Sequence, residues 1–457
     1  MGTWVGSVEE LVAPVTDGAG IALGGVLFTR LPIAQIRAVC AAKPRNLHYI
    51  TWGGGLPLEM LLEAGTVSRA TMCFSSLDIF GPAPQFRHAV EAGQLELVEL
   101  TAHAMCQALS AGGRRLPSEP FTWPTGSDLV QLPGFPPPYA DPITGERIGA
   151  VSALRPDVLL LHAPAADEDG NFEIVGARGM DLLAIPAAKQ VLVTVEKIVP
   201  REQLGRHKGS VVVSRHHTSA IAVAPGGAAP TSCLPYYLSD YDALLNWTRA
   251  DSMIAPAPTV ASRQMIELRS ASADDILAAA ASHQSSWAGS AVEPVPEPTV
   301  DEWMVCWLAR QYDNDSICSV GAVSPLAAAS YLLAKRTSAP GLTLLTNGGC
   351  YIDVASRPVL LGLGEWLDAT SAVTLMGGEE SYEWFYQSGM VSHEVVSVAQ
   401  IDATGRTNNW MVRSPSGRDI RLRGQGGMAD VADMHQNFLV YLPRQPCVSG
   451  SDEASGS

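Results

Sequence analysis

The sequence predicts an α/β protein made of two tandem, doubly wound, mainly parallel sheets. Three observations lead there. Short apolar runs bounded by Gly, Pro or Asp recur along the chain, helical stretches alternate with them, and a proline-rich segment splits the series in two. Near-continuous apolar strands alternating with helices are the pattern of parallel sheets covered on both faces.

The first series of strands is read at Gly20–Leu27, Leu47–Trp52, Arg69–Phe74, Val158–His162, Gln190–Val195 and Ser210–Val213. Helices are expected at Pro32–Ala42, Pro57–Ala64 and Pro84–Ala92. Each opens with proline, which suits the first helical position because the missing N–H would find no partner there. Residues 283–300 carry Pro294, Pro296 and Pro298, which favour extended chain and read as a linker. Asp301 is then expected to cap a helix with Trp303, Met304, Trp307 and Leu308 on one face. Further strands follow at Leu342–Leu345, Val373–Met376, Val395–Val398 and Phe438–Leu442. The expected division is 1–282, a linker at 283–300, a second domain at 301–446 and a polar, disordered tail at 447–457.

A formal charge of −16 argues against nucleic acid or an anionic membrane as partner, since phosphate binding needs clustered Lys and Arg. No apolar run approaches bilayer-spanning length, and no basic segment with a short apolar run opens the chain. The eight cysteines form no CxxC pair and no metal-like spacing with His, so no metal is expected and the chain reads as a reduced, cytoplasmic protein.

Several segments, in order, carry a resemblance. In the first half they are Asp167-Glu168-Asp169-Gly170-Asn171, Asp181 through Pro200, and Ala224 through Ser232. In the second they are Ala399 through Gly405 and Gly424-Gln425-Gly426-Gly427-Met428-Ala429-Asp430. Residues 15–280 resemble the α subunit of the glutaconate-type family I CoA-transferases, and residues 301–445 resemble the β subunit, as if the two were fused. The resemblance implies the CoA-transferase fold, an active site between the halves and an acyl-CoA substrate. Coenzyme A enters as part of that substrate, with no permanently bound cofactor, and a homo-oligomer, dimer or higher, is expected.

In that family a strand of the β subunit ends in a glutamate that attacks the thioester and carries CoA covalently. The matching position in Leu342–Gly349 is Asn347, and a carboxamide is too poor a nucleophile for that step. The segments Ile50–Gly55, Leu62-Glu63-Ala64-Gly65 and Ser76-Leu77-Asp78 are similar to the α subunit of the hydrolase that opens the last steroid ring, which also lacks the β-subunit glutamate. The α-subunit glutamate which that hydrolase uses falls here at Ala102 or His103. A related decarboxylase acting on a branched glutaconyl-CoA is thought to use a nearby cysteine, and Cys350 lies close to the corresponding strand end. The resemblance therefore favours C–C bond hydrolysis or decarboxylation of a dicarboxylic or β-oxo acyl-CoA. True CoA transfer between carboxylic acids and an inactive CoA-ester-binding scaffold stay open.

The candidate site residues follow. Asn347, Gly348 and Gly349 close a strand end and are expected to donate to an oxyanion. His103, near a strand end, and Glu59, behind the Gly53 and Gly54 loop, are expected acid–bases, with Cys350 as a third if its thiol is activated. Gly424, Gly426 and Gly427 are read as a loop whose backbone N–H groups hold a phosphate or acyl oxygen, and Ser324 as part of a second loop of this kind. His162 reads as structural, and Glu379-Glu380 as a solvated pair.

Overall fold

The computed structural model describes residues 3–121, 126–250, 252–254, 297–321, 324–346, 350–355, 369 and 371–442. The first sheet places its parallel strands in the order Thr3–Trp4, Ala220–Val223, Gln190–Ile198, Val158–Ala166, Gly20–Leu23, Leu47–Ile50, Val67–Met72 and Glu96–Glu99. Two short antiparallel strands, Phe172–Ile174 and Val211–Val213, extend it. Every residue of Val158–Ala166 is buried, as an apolar strand covered on both faces requires. Strand order reverses between Gly20–Leu23 and Val158–Ala166. That reversal is the switch point at which open α/β sheets bind ligands.

The second sheet runs Thr374–Leu375, Tyr351–Ile352, Thr343–Thr346, Ile317–Val320, His393–Ser397 and Asn437–Tyr441. It is antiparallel at its first two pairings and parallel in the rest. The expected two-sheet α/β architecture is therefore present.

Several boundaries move for local reasons. Proline opens Pro84–Glu91, but Ile33–Ala42 begins after Pro32, and Gly55–Glu63 begins two residues before Pro57. The helix Val300–Ala309 starts at the last residue of the expected linker, and its cap is Thr299 rather than Asp301. Thr299 accepts from the Glu302 N–H at 3.2 Å while Glu302 accepts from the Thr299 N–H at 2.7 Å. This reciprocal pair satisfies two orphan donors at once. The shared apolar face also splits: Leu308 is buried, whereas Trp303 and Trp307 are 64% and 58% exposed. Residues 283–296 and the tail 447–457 lie outside the described residues.

The cores do not stop at the junction. One cluster joins Ala102, Met105 and Cys106 to Leu345, Cys350, Tyr382 and Tyr386. Another joins Val175, Ala177 and Leu234 to Tyr331, Leu344 and Tyr351. Burial of this kind contributes roughly 25 cal/mol per Å² of apolar surface, so the halves stabilise each other as parts of one packed body.

Candidate active site

Beyond the strand ends, the two halves enclose a cavity of about 550 Å³. Trp52, Phe74, Ser76 and Arg87 form its wall on one side; Ser324, Glu394, Val396, Leu422 and Arg423 form it on the other. A smaller cavity of about 50 Å³ shares Trp52, Phe74 and Ser76 and reaches Gly53, Gly54 and Asp78. The walls thus mix apolar groups such as Trp52, Phe74, Val396 and Leu422 with the charged residues Arg87, Arg423 and Glu394.

The loop Gly424–Gly427 lies across this junction. A Cβ on Gly424 (φ +94°) would sit 2.7 Å from Glu99 Oε1, and one on Gly427 would sit 2.7 Å from the Tyr382 hydroxyl oxygen. Position 424 suits glycine because its φ is left-handed and Cys73 O would stand 3.1 Å from a Cβ, while a Cβ at 427 would displace the Tyr382 hydroxyl. The Gly426 N–H donates to Cys73 O at 3.1 Å, and Gly426 O accepts from the Ala102 N–H at 3.2 Å. The Gln425 N–H points at Glu99. The Gln425 and Gly426 donors therefore join the halves instead of facing a ligand, which corrects the sequence reading of this loop in part. Behind it, buried Arg421 pairs with buried Glu99, Trp410 Nε1 donates to Glu99 at 2.8 Å, and the guanidinium lies over the Trp410 and Phe86 rings at 4.9 and 5.7 Å.

The expected acid–bases are scattered. Glu59 is fully buried and accepts from the Gln85 and Phe86 N–H groups, both at 2.8 Å, so it caps the helix Pro84–Glu91. Burial pushes its carboxyl up to about 7, but it does not line the cavity. His103 is also fully buried, one layer behind the cavity residue Ala102. Its ring stacks on Tyr382 at 5.2 Å and its backbone N–H donates to Asp430 at 3.0 Å. Burial lowers the imidazole to about 4, with Gln387 acting in the opposite sense. Cys350 is buried in the core across the junction, and burial pushes its thiol up to about 12. That environment suppresses the thiolate.

Gly53 and Gly54 do line the smaller cavity, and Ser324, Gly424, Gly426 and Gly427 line the larger one. Ser324 stands at the N-cap of the helix Pro325–Arg336, whose positive end favours negative charge. Asn347, Gly348 and Gly349 lie outside the described residues; the strand before them pairs Thr346 with Val320, which Gly321 of the cavity wall follows.

Sequence reasoning missed Glu394, His435, Arg87 and Arg423. Glu394 lies in His393–Ser397 and is 2% exposed, and its Oε2 sits 3.3 Å from His435 Nδ1. A carboxylate inside an apolar strand was a signal in plain view, because acids are almost never fully buried without a partner or a function. Elsewhere, His162, Glu196 and Cys233 come close enough together to hold an ion. The His162 nitrogens are already taken by Thr194 at 2.9 Å and Glu196 at 2.7 Å, and Glu196 also accepts from Tyr237 and from the Gly226 N–H. The cluster is a satisfied hydrogen-bond network.

Residues 5–213 match the model of the coenzyme A transferase family. The chain is 32% identical over 230 residues to one of the subunits of the 3-oxoadipate CoA-transferase of Pseudomonas knackmussii, covering 50% of this chain and 80% of that protein. It is 32% identical over 246 residues to the IpdA subunit of the cholesterol ring-cleaving hydrolase of Mycobacterium tuberculosis, covering 51% and 83%. Among solved structures, a variant of the decarboxylase AibA/AibB superposes with a TM-score of 0.50 at 35% identity, covering 54% of this chain and 93% of that one. The Escherichia coli O157:H7 acyl-CoA transferase YdiF shares the fold over 96% of this chain and 76% of that one, with a TM-score of 0.65 at 17% identity.

Proposed function

Because the chain belongs to the coenzyme A transferase family, we propose that its interdomain cavity processes an acyl-CoA thioester by C–C bond hydrolysis or decarboxylation rather than by CoA exchange. The observation that carries this reading is the cavity itself. It lies at the junction of two sheets of this fold, and its lining combines apolar side chains with Arg87, Arg423 and the N-terminus of a long helix. Such a lining suits an acyl chain ending in a carboxylate or carrying a β-oxo group. The fused arrangement, with one half standing for each component of a two-chain relative, belongs to the same proposal.

Two points support cleavage over exchange. By the resemblance, Asn347 falls at the family's nucleophile position; its amide can donate to an oxyanion but cannot form a glutamyl thioester. Relatives include a protein named as part of a ring-cleaving hydrolase and one named as a decarboxylase. A second reading, CoA transfer, is favoured by two observations: relatives include a protein named as a CoA-transferase subunit, and Glu394 is a carboxylate in the cavity wall, where a carboxylate can attack a thioester. Incubation with acyl-CoA followed by borohydride separates the two. Cleaved product with no modified carboxylate is expected. A reduced or CoA-bearing residue at Glu394, Glu379 or Glu380 would replace this reading with CoA transfer.

A further inference from the structure

We propose that Glu394 is the catalytic acid–base of the cavity, held in place by His435; this assignment rests on the acyl-CoA reading above. Three features converge on it. Glu394 is buried yet borders the cavity, and its Oε2 makes no hydrogen bond among the described residues. Its neighbour across the strand pair is Ser319, and the chain then reaches Gly321, where a Cβ would stand 3.5 Å from Glu394 Oε1. A side chain at 321 would begin in contact with that oxygen, and both residues line the cavity.

His435 completes the pair. It follows the helix Met428–Met434, lies 3.3 Å from Glu394 Oε2, and rests against the Tyr386 ring at a centroid distance of 5.1 Å. Nε2 makes no hydrogen bond among the described residues, and Nδ1 has only its 3.3 Å ion-pair contact with Glu394. Buried polar groups are ordinarily satisfied, so two adjacent unsatisfied groups beside a cavity point to a ligand or proton route. Tyr331 and Tyr386 pack nearby; Tyr331 donates no charge and accepts from the Val395 N–H at 2.9 Å.

The chemistry balances without a further reactant. In hydrolysis, Glu394 takes a proton from water while the hydroxide oxygen bonds to the departing carbonyl carbon. The bond from that carbon to Cα breaks and its electron pair enters the thioester enolate. Glu394 then returns the proton to Cα. In decarboxylation CO₂ leaves, and the proton that Glu394 delivers to the carbanion comes from solvent. Both routes include proton transfer at a carbon conjugated to the thioester, which can be measured without cleavage.

The probe is glutaryl-CoA in D₂O, with deuterium at Cα followed by mass spectrometry and binding followed by calorimetry. Wild type is expected to bind and to exchange. Glu394→Gln should bind within a few-fold of wild type and lose exchange by about 10²–10⁴-fold. Glu394→Asp should recover part of the rate. His435→Asn should lower the rate constant at saturation with little change in half-saturating concentration, the split expected of a positioning residue. Wild type that binds without exchange, or a Gln variant exchanging at the wild-type rate, overturns the role of Glu394 and leaves the acyl-CoA reading intact. Wild type that binds neither glutaryl-CoA nor coenzyme A overturns both.

Discussion

Replacing Glu99 with alanine should destabilise the protein far more than an ordinary surface change. Glu99 and Arg421 are 2% and 1% exposed at their side chains. Arg421 Nε and Nη1 make no hydrogen bond among the described residues, so Glu99 is the guanidinium's anionic partner, and the Phe86 and Trp410 faces complete its cage. Removing one partner of a buried pair leaves an uncompensated charge and costs about 3–5 kcal/mol. At about 1 °C per kcal/mol for a cooperative unit of 457 residues, the melting point should fall by about 3–5 °C. Arg421→Met should cost less, about 1.5–3 kcal/mol, because Trp410 Nε1 and the Gln425 N–H still donate to the remaining carboxylate. The double variant Glu99→Leu, Arg421→Met restores an apolar contact and leaves the Trp410 and Gln425 N–H groups unpaired, a penalty of about 1–3 kcal/mol each that Glu99→Ala shares. It should be more stable than Glu99→Ala alone. Urea unfolding of the four proteins at neutral pH measures the cycle. A cost below about 1 kcal/mol for Glu99→Ala, or strictly additive losses, would refute the view that this pair is a coupled, buried clamp.

Other consequences are as direct. Asn347→Ala should lower turnover by about 10²–10³, the loss expected for one oxyanion donor, and full activity would reduce the residue to a turn former. Glu59 is raised to about 7 from 4.5, so its folded form favours the proton; its stabilising contribution is present below about pH 4.5 and is lost as pH rises towards 7. Glu59→Gln should flatten the decline in melting temperature over that window, and an unchanged slope would count against the shift. His103 is lowered to about 4, so its ring should stay neutral through pH 6 by NMR, and an acid limb of activity near 6.5 that vanishes in His103→Ala would contradict its burial. Proteolysis within 283–296 should leave the two pieces co-eluting, because both shared cores cross the junction; separated pieces would contradict that packing.

The fold was legible because its signal is local. Val158–Ala166 and Gln190–Ile198 announce covered strands by apolar content alone. The site was less so, because its walls come from segments such as Trp52, Arg87, Ser324, Glu394 and Arg423 that only the two sheets bring together. Glu59 follows Gly53 and Gly54 closely in sequence, but the helix Gly55–Glu63 turns it towards the start of Pro84–Glu91. His103 was placed at the right strand end, and the first turn of Ala102–Gly113 then directs it into the core instead of the cavity. Gly424, Gly426 and Gly427 line the cavity, while the partners of their loop are ones no periodicity reveals: Glu99, Cys73 and Tyr382.

This placement also says why the junction and the chemistry are hard to separate. The Arg423 carbonyl accepts from the Ser75 N–H at 2.8 Å, and Gly426 is bonded to both Cys73 and Ala102. The same short stretch contributes Leu422, Arg423 and the glycines to the cavity wall. A substitution at Glu99 or Arg421 therefore shifts wall residues without touching a substrate. Such a change should weaken binding of an acyl-CoA in step with stability, because it displaces groups used equally in ground and transition states. Glu394 stands on a strand of the second sheet and is not a member of this clamp. Loss of its carboxylate should spare stability and binding while removing proton transfer, so the two kinds of defect separate on physical grounds: one acts through the shape of the cavity, the other through the atom that moves the proton.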